Sequence, residues 1–306
     1  MSRRIIRIGS RGSQLALWQA NETSRKLAAA GFAPEIVVVK TTGDQRQDVP
    51  LAAVGGKGLF IKELEEALER GSIDIAVHSL KDVPSIIPAH FILAGFLERA
   101  DPRDAWVHPQ NLPITEVRKG ATIGTSAPRR RAQLIEKFPH LSVEPIRGNV
   151  ETRINKAREG KYAGVILANA GLTRLGRASE ITSLFPVDEM IPAAGQGIVA
   201  IETLASNAFG HEAATAINHG PSELAALTER GVLQKFGERL DCYSAVAVHT
   251  TSSHGELTIR AFAADYDGTR SVRARHSGRD PQQVVNAVYE ELIAKGAMEL
   301  LNATAR

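Results

Sequence analysis

With 306 residues the chain has material for two or three domains, and its 43% hydrophobic and 23% charged residues are the balance of an ordinary globular protein. No apolar run is long enough to span a bilayer, and a net charge of only +3 argues against a general nucleic-acid binder, which shows a strongly basic face. The one cysteine, Cys242, excludes an intrachain disulfide, and the basic start Met1–Arg7 lacks an apolar h-region, so no signal peptide is expected and a cytoplasmic protein is.

In chain order, Arg4–Ile8 predicts a strand and Gln14 onward a helix, with Leu17, Ala20 and Leu27 at helical spacing and Gly31 as its stop. Valine-rich Glu35–Lys40 predicts a second strand. Thr42–Gly58 is a long loop carrying Gly55-Gly56-Lys57-Gly58, and ordered loops of that length are usually functional. Ile61–Arg70 predicts a helix closed by Gly71, and Ile73–Ser79 a buried strand. Pro88–Phe96 is extended, and Glu98–Asp104, with Pro102, reads as a crossing between domains. A second set follows: strands at Ala121–Thr125, Leu141–Ile146 and Gly164–Ala168, and helices at Ser126–Phe138 and Asn149–Glu159. This alternation favours parallel sheets with helices on both faces. Pro192–Gly197 is a second candidate hinge. From about Ser222 the texture changes to a helix, Ser222–Phe236, then strands Tyr243–Thr250, Glu256–Ala264 and Arg270–His276 with an Asp267-Gly268 turn, then one amphipathic helix over Pro281–Leu301. That is a small α+β domain with an antiparallel sheet.

The stretch Val77–Pro84 is the centre of the chemistry. Lys81-Asp82 sits where the strand runs out, and Val83-Pro84 forces an extended exit. Ligands in open α/β sheets bind beyond the carboxyl ends of strands. A carboxylate there can handle protons or hold a cation; equally, Asp82 can make an Asx-turn before Pro84. Three further segments share one design, in which a strand ends and arginine opens the next helix. They are Arg11 with Ser13, Thr125-Ser126 before Arg129 and Arg130, and Arg147-Gly148-Asn149 before Arg153. Ser126 and Asn149 are expected N-caps. Arginines in a first turn oppose the helix macrodipole at about 0.3–1 kcal/mol each. Solvent screening relieves one such site; three at equivalent strand ends favour binding of a multiply anionic ligand. The glycine-lysine loop lacks the spacing of a phosphate loop, no G-x-G-x-x-G occurs, and the nine histidines show no metal-ligand spacing, so no metal is expected. His78, within its strand, reads as a satisfied structural histidine. Cys242, among Glu238, Arg239 and Asp241, reads equally as a small buried hydrophobe or an exposed nucleophile.

Taken together these segments resemble the porphobilinogen deaminase (hydroxymethylbilane synthase) family over nearly the whole chain. The resemblance is carried by Arg11–Ala20, Val54–Phe60, Val77–Pro84, Asp101–Ala105, Gly124–Arg130, Arg147–Arg153, Leu167–Leu172 and Pro192–Gly197. It implies two periplasmic-binding-protein-like α/β domains with a cleft between them and a small C-terminal α+β domain with a three-stranded antiparallel sheet. The expected boundaries are 1–98 with 198–217, 99–197, and 218–306. It also implies a dipyrromethane cofactor joined by a thioether to Cys242. Four porphobilinogen molecules are added head to tail with loss of four ammonia, and hydrolysis releases hydroxymethylbilane.

Each pyrrole carries an acetate and a propionate, so the growing chain accumulates carboxylates, which suits arginines at helix starts. By position Asp82 matches the catalytic aspartate, stabilising an electron-poor azafulvene and relaying protons. Ser79, Lys81, Thr125, Ser126, Arg129, Arg130, Gly148 and Arg153 match cofactor-binding positions. Arg11, Ser13, Lys57, Arg147, Arg174 and Gln196 match substrate-binding ones, and Thr42–Lys57 the family's lid. No nucleic-acid or membrane partner is implied, and a monomer is expected. One departure stands out: the family commonly has two glycines before the cysteine and Gln-Val-Pro after it, whereas here the stretch reads Leu240-Asp241-Cys242-Tyr243-Ser244-Ala245. The rival reading is a non-catalytic two-lobed binding protein for a carboxylated small molecule.

Overall fold

The computed structural model of the protein describes residues 4–40, 61–240 and 244–302, apart from the side chain of Glu238. The loop 42–58 with Lys57, and Cys242, lie outside the described residues. In chain order the described elements are β1 (Ile5–Ser10), α1 (Gln14–Ala29), β2 (Ala33–Val38), α2 (Lys62–Glu69), β3 (Ile75–Ser79), β4 (Phe91–Phe96), β5 (Asp104–Val107), β6 (Thr122–Gly124), α3 (Pro128–Lys137), β7 (Ser142–Glu144) and α4 (Val150–Arg158). They continue with β8 (Gly164–Ala168), α5 (Asn169–Arg174), β9 (Ser183–Leu184), β10 (Val199–Leu204), α6 (Ala208–Ala216), α7 (Gly220–Phe236), β11 (Ala245–Ser253), β12 (Glu256–Ala264), β13 (Ser271–Gly278), α8 (Pro281–Ala294) and α9 (Ala297–Asn302).

Two compact units emerge, Met1–Ala100 with Gly197–Leu227, and Asp101–Gln196 with Thr228–Arg306. The first holds a five-stranded sheet in the order β2-β1-β3-β10-β4; the second holds one in the order β7-β6-β8-β5-β9, and also the three-stranded antiparallel sheet β11-β12-β13. The two larger sheets repeat one plan. Three parallel strands are joined by a fourth strand that runs antiparallel to both its neighbours: β10 between β3 and β4, β5 between β8 and β9. This is the expected pair of periplasmic-binding-protein-like α/β sheets, together with a small three-stranded antiparallel sheet in the second unit.

The expectation of parallel sheets is corrected, because each sheet is mixed. Its antiparallel strand adjoins a segment that reads as a crossing or a hinge, so alternation of strands and helices does not reveal it. β5 in particular is four residues, begins with a charged Asp104, and is buried throughout.

The first unit's sheet is covered on both faces. Ile6, Ile8 and Val77 pack with Ala20 and Leu27 of α1 and Ala213 and Ala214 of α6. Ala76 packs on the other face with Leu64 and Leu68 of α2. β3 therefore opens on a continuous apolar run, Ile75–Val77, rather than an alternating one. In the second unit Trp106 is wholly buried, and its indole N–H donates to Leu112 O at 2.9 Å. Gly164 on β8 makes room for that ring, since a Cβ there would lie 2.2 Å from Trp106 Cη2.

Two further expectations are corrected. The last helix is not continuous over Pro281–Leu301: α8 ends at Ala294 and α9 starts at Ala297, because Gly296 takes φ 90°. Ser126 is not the cap of α3; Ala127 holds that position without a side-chain cap bond, and Pro128 opens the first turn. Asn149 does cap α4, its side chain accepting from Thr152 N.

Candidate active site

In the first unit β1 and β3 lie side by side and end at the same edge, Ile8 facing Ile75 and Gly9 facing Ala76. After β1 the chain turns into α1, whose N-cap is Ser13; its hydroxyl accepts from Ala16 N at 3.3 Å. After β3 comes one 3-10 turn, Leu80–Asp82, and Val83 leaves it extended with φ −81° and ψ 127°, as expected from the proline that follows. Gln19, buried on α1, donates to Ser79 Oγ at 2.7 Å and ties the helix to the strand end. The result is an open pocket with about 460 Å³ of empty space, including solvent at its mouth, lined among others by Arg11, Ser13, Gln19, His78, Ser79 and Asp82. Asp82 is exposed. Lys81, its exposed neighbour, is not among the residues lining this pocket.

In the second unit β6 and β7 are parallel neighbours whose following loops are stitched together. Ser126 Oγ donates to Ile146 O at 2.5 Å and accepts from Ile146 N at 2.9 Å, which explains why this serine leaves the helix uncapped. Thr125 is buried, and its hydroxyl accepts from Ala127 N at 3.3 Å. Gly148 takes φ 110°, and a Cβ on it would come within 2.5 Å of Thr152 Cγ2. Arg153 Nε donates to Gly148 O at 2.8 Å, and Lys156 Nζ to Arg147 O at 3.0 Å, so two cationic side chains fold back on the loop before α4. Among the described residues the Arg147 guanidinium makes no recorded hydrogen bond or ion pair. Arg174 lies in the last turn of α5, where a cation suits the helix dipole.

Arg129 and Arg130 behave differently. The expectation from sequence is that an outside anion relieves these cations at the start of α3; the structure places an internal carboxylate there. Asp104, wholly buried at the start of β5, accepts from Arg129 Nη1 at 2.6 Å and Nη2 at 3.1 Å, and from Arg130 Nε at 3.0 Å and Nη2 at 2.7 Å. Gln196 completes the cluster. Its oxygen accepts from Arg129 Nη2 at 2.9 Å, and its nitrogen donates to Asp104 Oδ1 at 2.9 Å and Pro102 O at 2.6 Å. Burial alone would raise the Asp104 carboxyl; the two guanidiniums outweigh it and hold it well below the usual carboxylate range. Two guanidiniums against one carboxylate leave one net positive charge.

Four sequence-predicted site residues, Arg11, Ser13, Ser79 and Asp82, therefore share one pocket. Thr125, Ser126, Arg147, Gly148 and Arg153 lie on the paired loops of the second unit. Asp104 lies in a segment that carries the family resemblance, yet no role falls to it from sequence; its position between Pro102 and a buried Trp106 was the available signal. Among the described residues no cluster of histidine, cysteine and carboxylate side chains has metal-binding geometry, and no helix is long and apolar enough to cross a membrane.

Fold and site together define a class: an α/β protein with two binding-protein-like sheets, in which strand ends bring an exposed carboxylate together with guanidinium and hydroxyl groups. Two solved structures are similar to the chain at a low level. The periplasmic aliphatic sulphonate binding protein SsuA from Escherichia coli is 14% identical, with a TM-score of 0.42 over 77% of this chain and 75% of that chain. The Bordetella pertussis BvgS VFT2 domain is 13% identical, with a TM-score of 0.42 over 72% and 90%.

The chain belongs to the porphobilinogen deaminase family. Residues 6–211 match the model for the porphobilinogen deaminase dipyromethane cofactor binding domain. Porphobilinogen deaminase of Geobacter sulfurreducens is 46% identical over 97% of this chain and 93% of its own length, and that of Trichlorobacter lovleyi is 45% identical over 98% and 97%. The chain is accordingly a transferase with a dipyrromethane cofactor.

Proposed function

We propose that this transferase is a hydroxymethylbilane synthase, joining four porphobilinogen molecules to its dipyrromethane primer with loss of four ammonia and releasing the linear tetrapyrrole by hydrolysis. The observation that carries the reading is Asp82, an exposed carboxylate at a strand end in one pocket with Arg11 and Ser13. Dipyrromethane, when bound, supplies the terminal ring carbon to which each unit is joined. Asp82, acceptor-only when ionised, holds pyrrole N–H groups and stabilises positive charge as it develops on a ring. Arg11 and Ser13 hold the carboxylates of the incoming unit, and Lys81 and Ser79 serve the cofactor.

The second unit's donors fit the carboxylates of dipyrromethane. Gly148 leaves its loop without a Cβ, and Arg147 and Arg153 stand at the start of α4. We assign Thr125, Ser126, Arg129, Arg130, Gly148 and Arg153 to the cofactor and Arg147, Arg174, Gln196 and Lys57 to substrate. Arg129 and Arg130 act there through the single net charge that Asp104 leaves them. We place the thioether at Cys242, in a C-terminal domain 218–306. Ala245 at the start of β11 packs in one cluster with Ala132 of α3, and Cys242 precedes it by three residues, a reach of about 10 Å.

The test is Asp82→Asn, followed by turnover and intact mass. The expected variant keeps a mass two pyrrole units above that of the bare chain and loses turnover by about 10²–10⁴-fold. Near-normal turnover would remove Asp82 from the reaction.

A further inference from the structure

His78 and Glu202 form a buried pair that the reading above does not use. They lie on neighbouring antiparallel strands, His78 opposite Ala200 and Glu202 opposite Ala76. His78 Nε2 and Glu202 Oε2 are 3.0 Å apart. Strand alternation puts His78 on the face of Ala76, toward α2. Glu202 is wholly buried, and its Oε1 has no hydrogen-bond partner among the described residues. A carboxylate with one oxygen buried and unsatisfied is costly, and two apolar side chains would join β3 to β10 at least as well. Structure alone gives a weak reason for the pair. One wall of it is open, because His78 lines the pocket that holds Asp82.

We infer that His78, held by Glu202, is a second proton acceptor of the Asp82 pocket, an inference that rests on that pocket being where the reaction occurs. Glu202 accepting from Nε2–H fixes the tautomer, leaving the lone pair on Nδ1. Each condensation breaks the carbon–nitrogen bond of a substrate aminomethyl group and forms a carbon–carbon bond to a ring carbon. That ring carbon gives up one proton, and the departing amine nitrogen takes up one to leave as ammonia. His78 accepts the first and returns it to the second, so it ends each cycle as it began. Glu202 from β10 and Glu65 from α2 stand near His78, which shares the pocket lining with Arg11, Asp82 and the neutral Gln19. Burial raises the Glu65 carboxyl from its ordinary value, with Glu202 adding to the effect.

Histidine-labelled holoenzyme, observed by nitrogen NMR, tests this without turnover; the His78 signal is the one lost in His78→Gln. The Nε2–H tautomer is expected, with that preference weakened in Glu202→Gln. An Nδ1–H tautomer overturns the inference. In turnover, His78→Gln is expected to lower kcat by about 10²-fold or more with KM changed little, and to remove the acid limb of the kcat–pH profile. A profile superimposing on the parent's overturns it. Should His78→Gln not fold, Glu202→Gln decides, since it keeps the size and a hydrogen bond yet must shift that limb. An inactive Asp82→Asn beside a normal His78→Gln sinks this inference alone; an active Asp82→Asn sinks the reading of the pocket.

Discussion

Asp104 Oδ2 lies 2.6 Å from Nη1 of Arg129, and the other oxygen of the same carboxylate lies 2.7 Å from Nη2 of Arg130. One buried acid thus fixes two consecutive guanidiniums at the start of α3. Asp104→Asn is expected to destabilise the protein by about 3–5 kcal/mol, because it leaves two buried cations without their counter-charge. Denaturant unfolding of the variant checks this, and a midpoint equal to the parent's would show that the cluster has another source of compensation.

The same carboxylate makes stability depend on pH. Its folded-state pKa lies below that of the unfolded chain, about 3.9 for an ordinary aspartate. The stability it contributes is therefore fully present above about pH 4 and is lost as pH falls through the lower, folded-state value. Asp104→Asn should lack that part of the acid-induced loss. Unfolding free energy measured from pH 6 down to 2 is expected to fall less steeply in the variant than in the parent.

Gly148→Ala should disturb the loop before α4. A side chain at φ 110° is strained by about 1–3 kcal/mol, and its Cβ would meet Thr152. Thr152 N donates to the capping Asn149, so the first turn of α4 and Arg153 move with it. Thermal unfolding should show the loss of stability, and intact mass a reduced fraction of cofactor-loaded chain.

Gly164→Ala is a control that touches no candidate site residue. Its Cβ would enter the Trp106 ring, and overpacking of this kind costs about 1–3 kcal/mol. Thermal unfolding should register the loss while the kcat of the folded fraction stays at the parent's value.

Cys242→Ser tests the attachment point. The variant is expected to have the bare-chain mass and no turnover, since serine offers no thiolate to form the bond. A cofactor mass retained on the serine variant would move the attachment elsewhere.

Local periodicity made much of this protein legible. The helix Gln14–Ala29, the strand Gly164–Ala168 and the extended exit at Val83 follow from apolar spacing, glycine stops and a proline. The strand-end motifs likewise put Arg11 and Ser13 after one strand and Ser79 and Asp82 at the end of another; that the two strands are parallel neighbours, with their carboxyl ends at one edge, came from the structure. Tertiary structure alone decided where charge is compensated. Arg129 and Arg130 look alike as consecutive cations before a helix, but Asp104 lies 25 residues upstream of Arg129, and Glu202 lies 124 residues beyond His78. Pairings at such separations depend on which strands become neighbours. β5 and β10, the strands that bring Asp104 and Glu202 into place, are antiparallel insertions whose position no local pattern encodes.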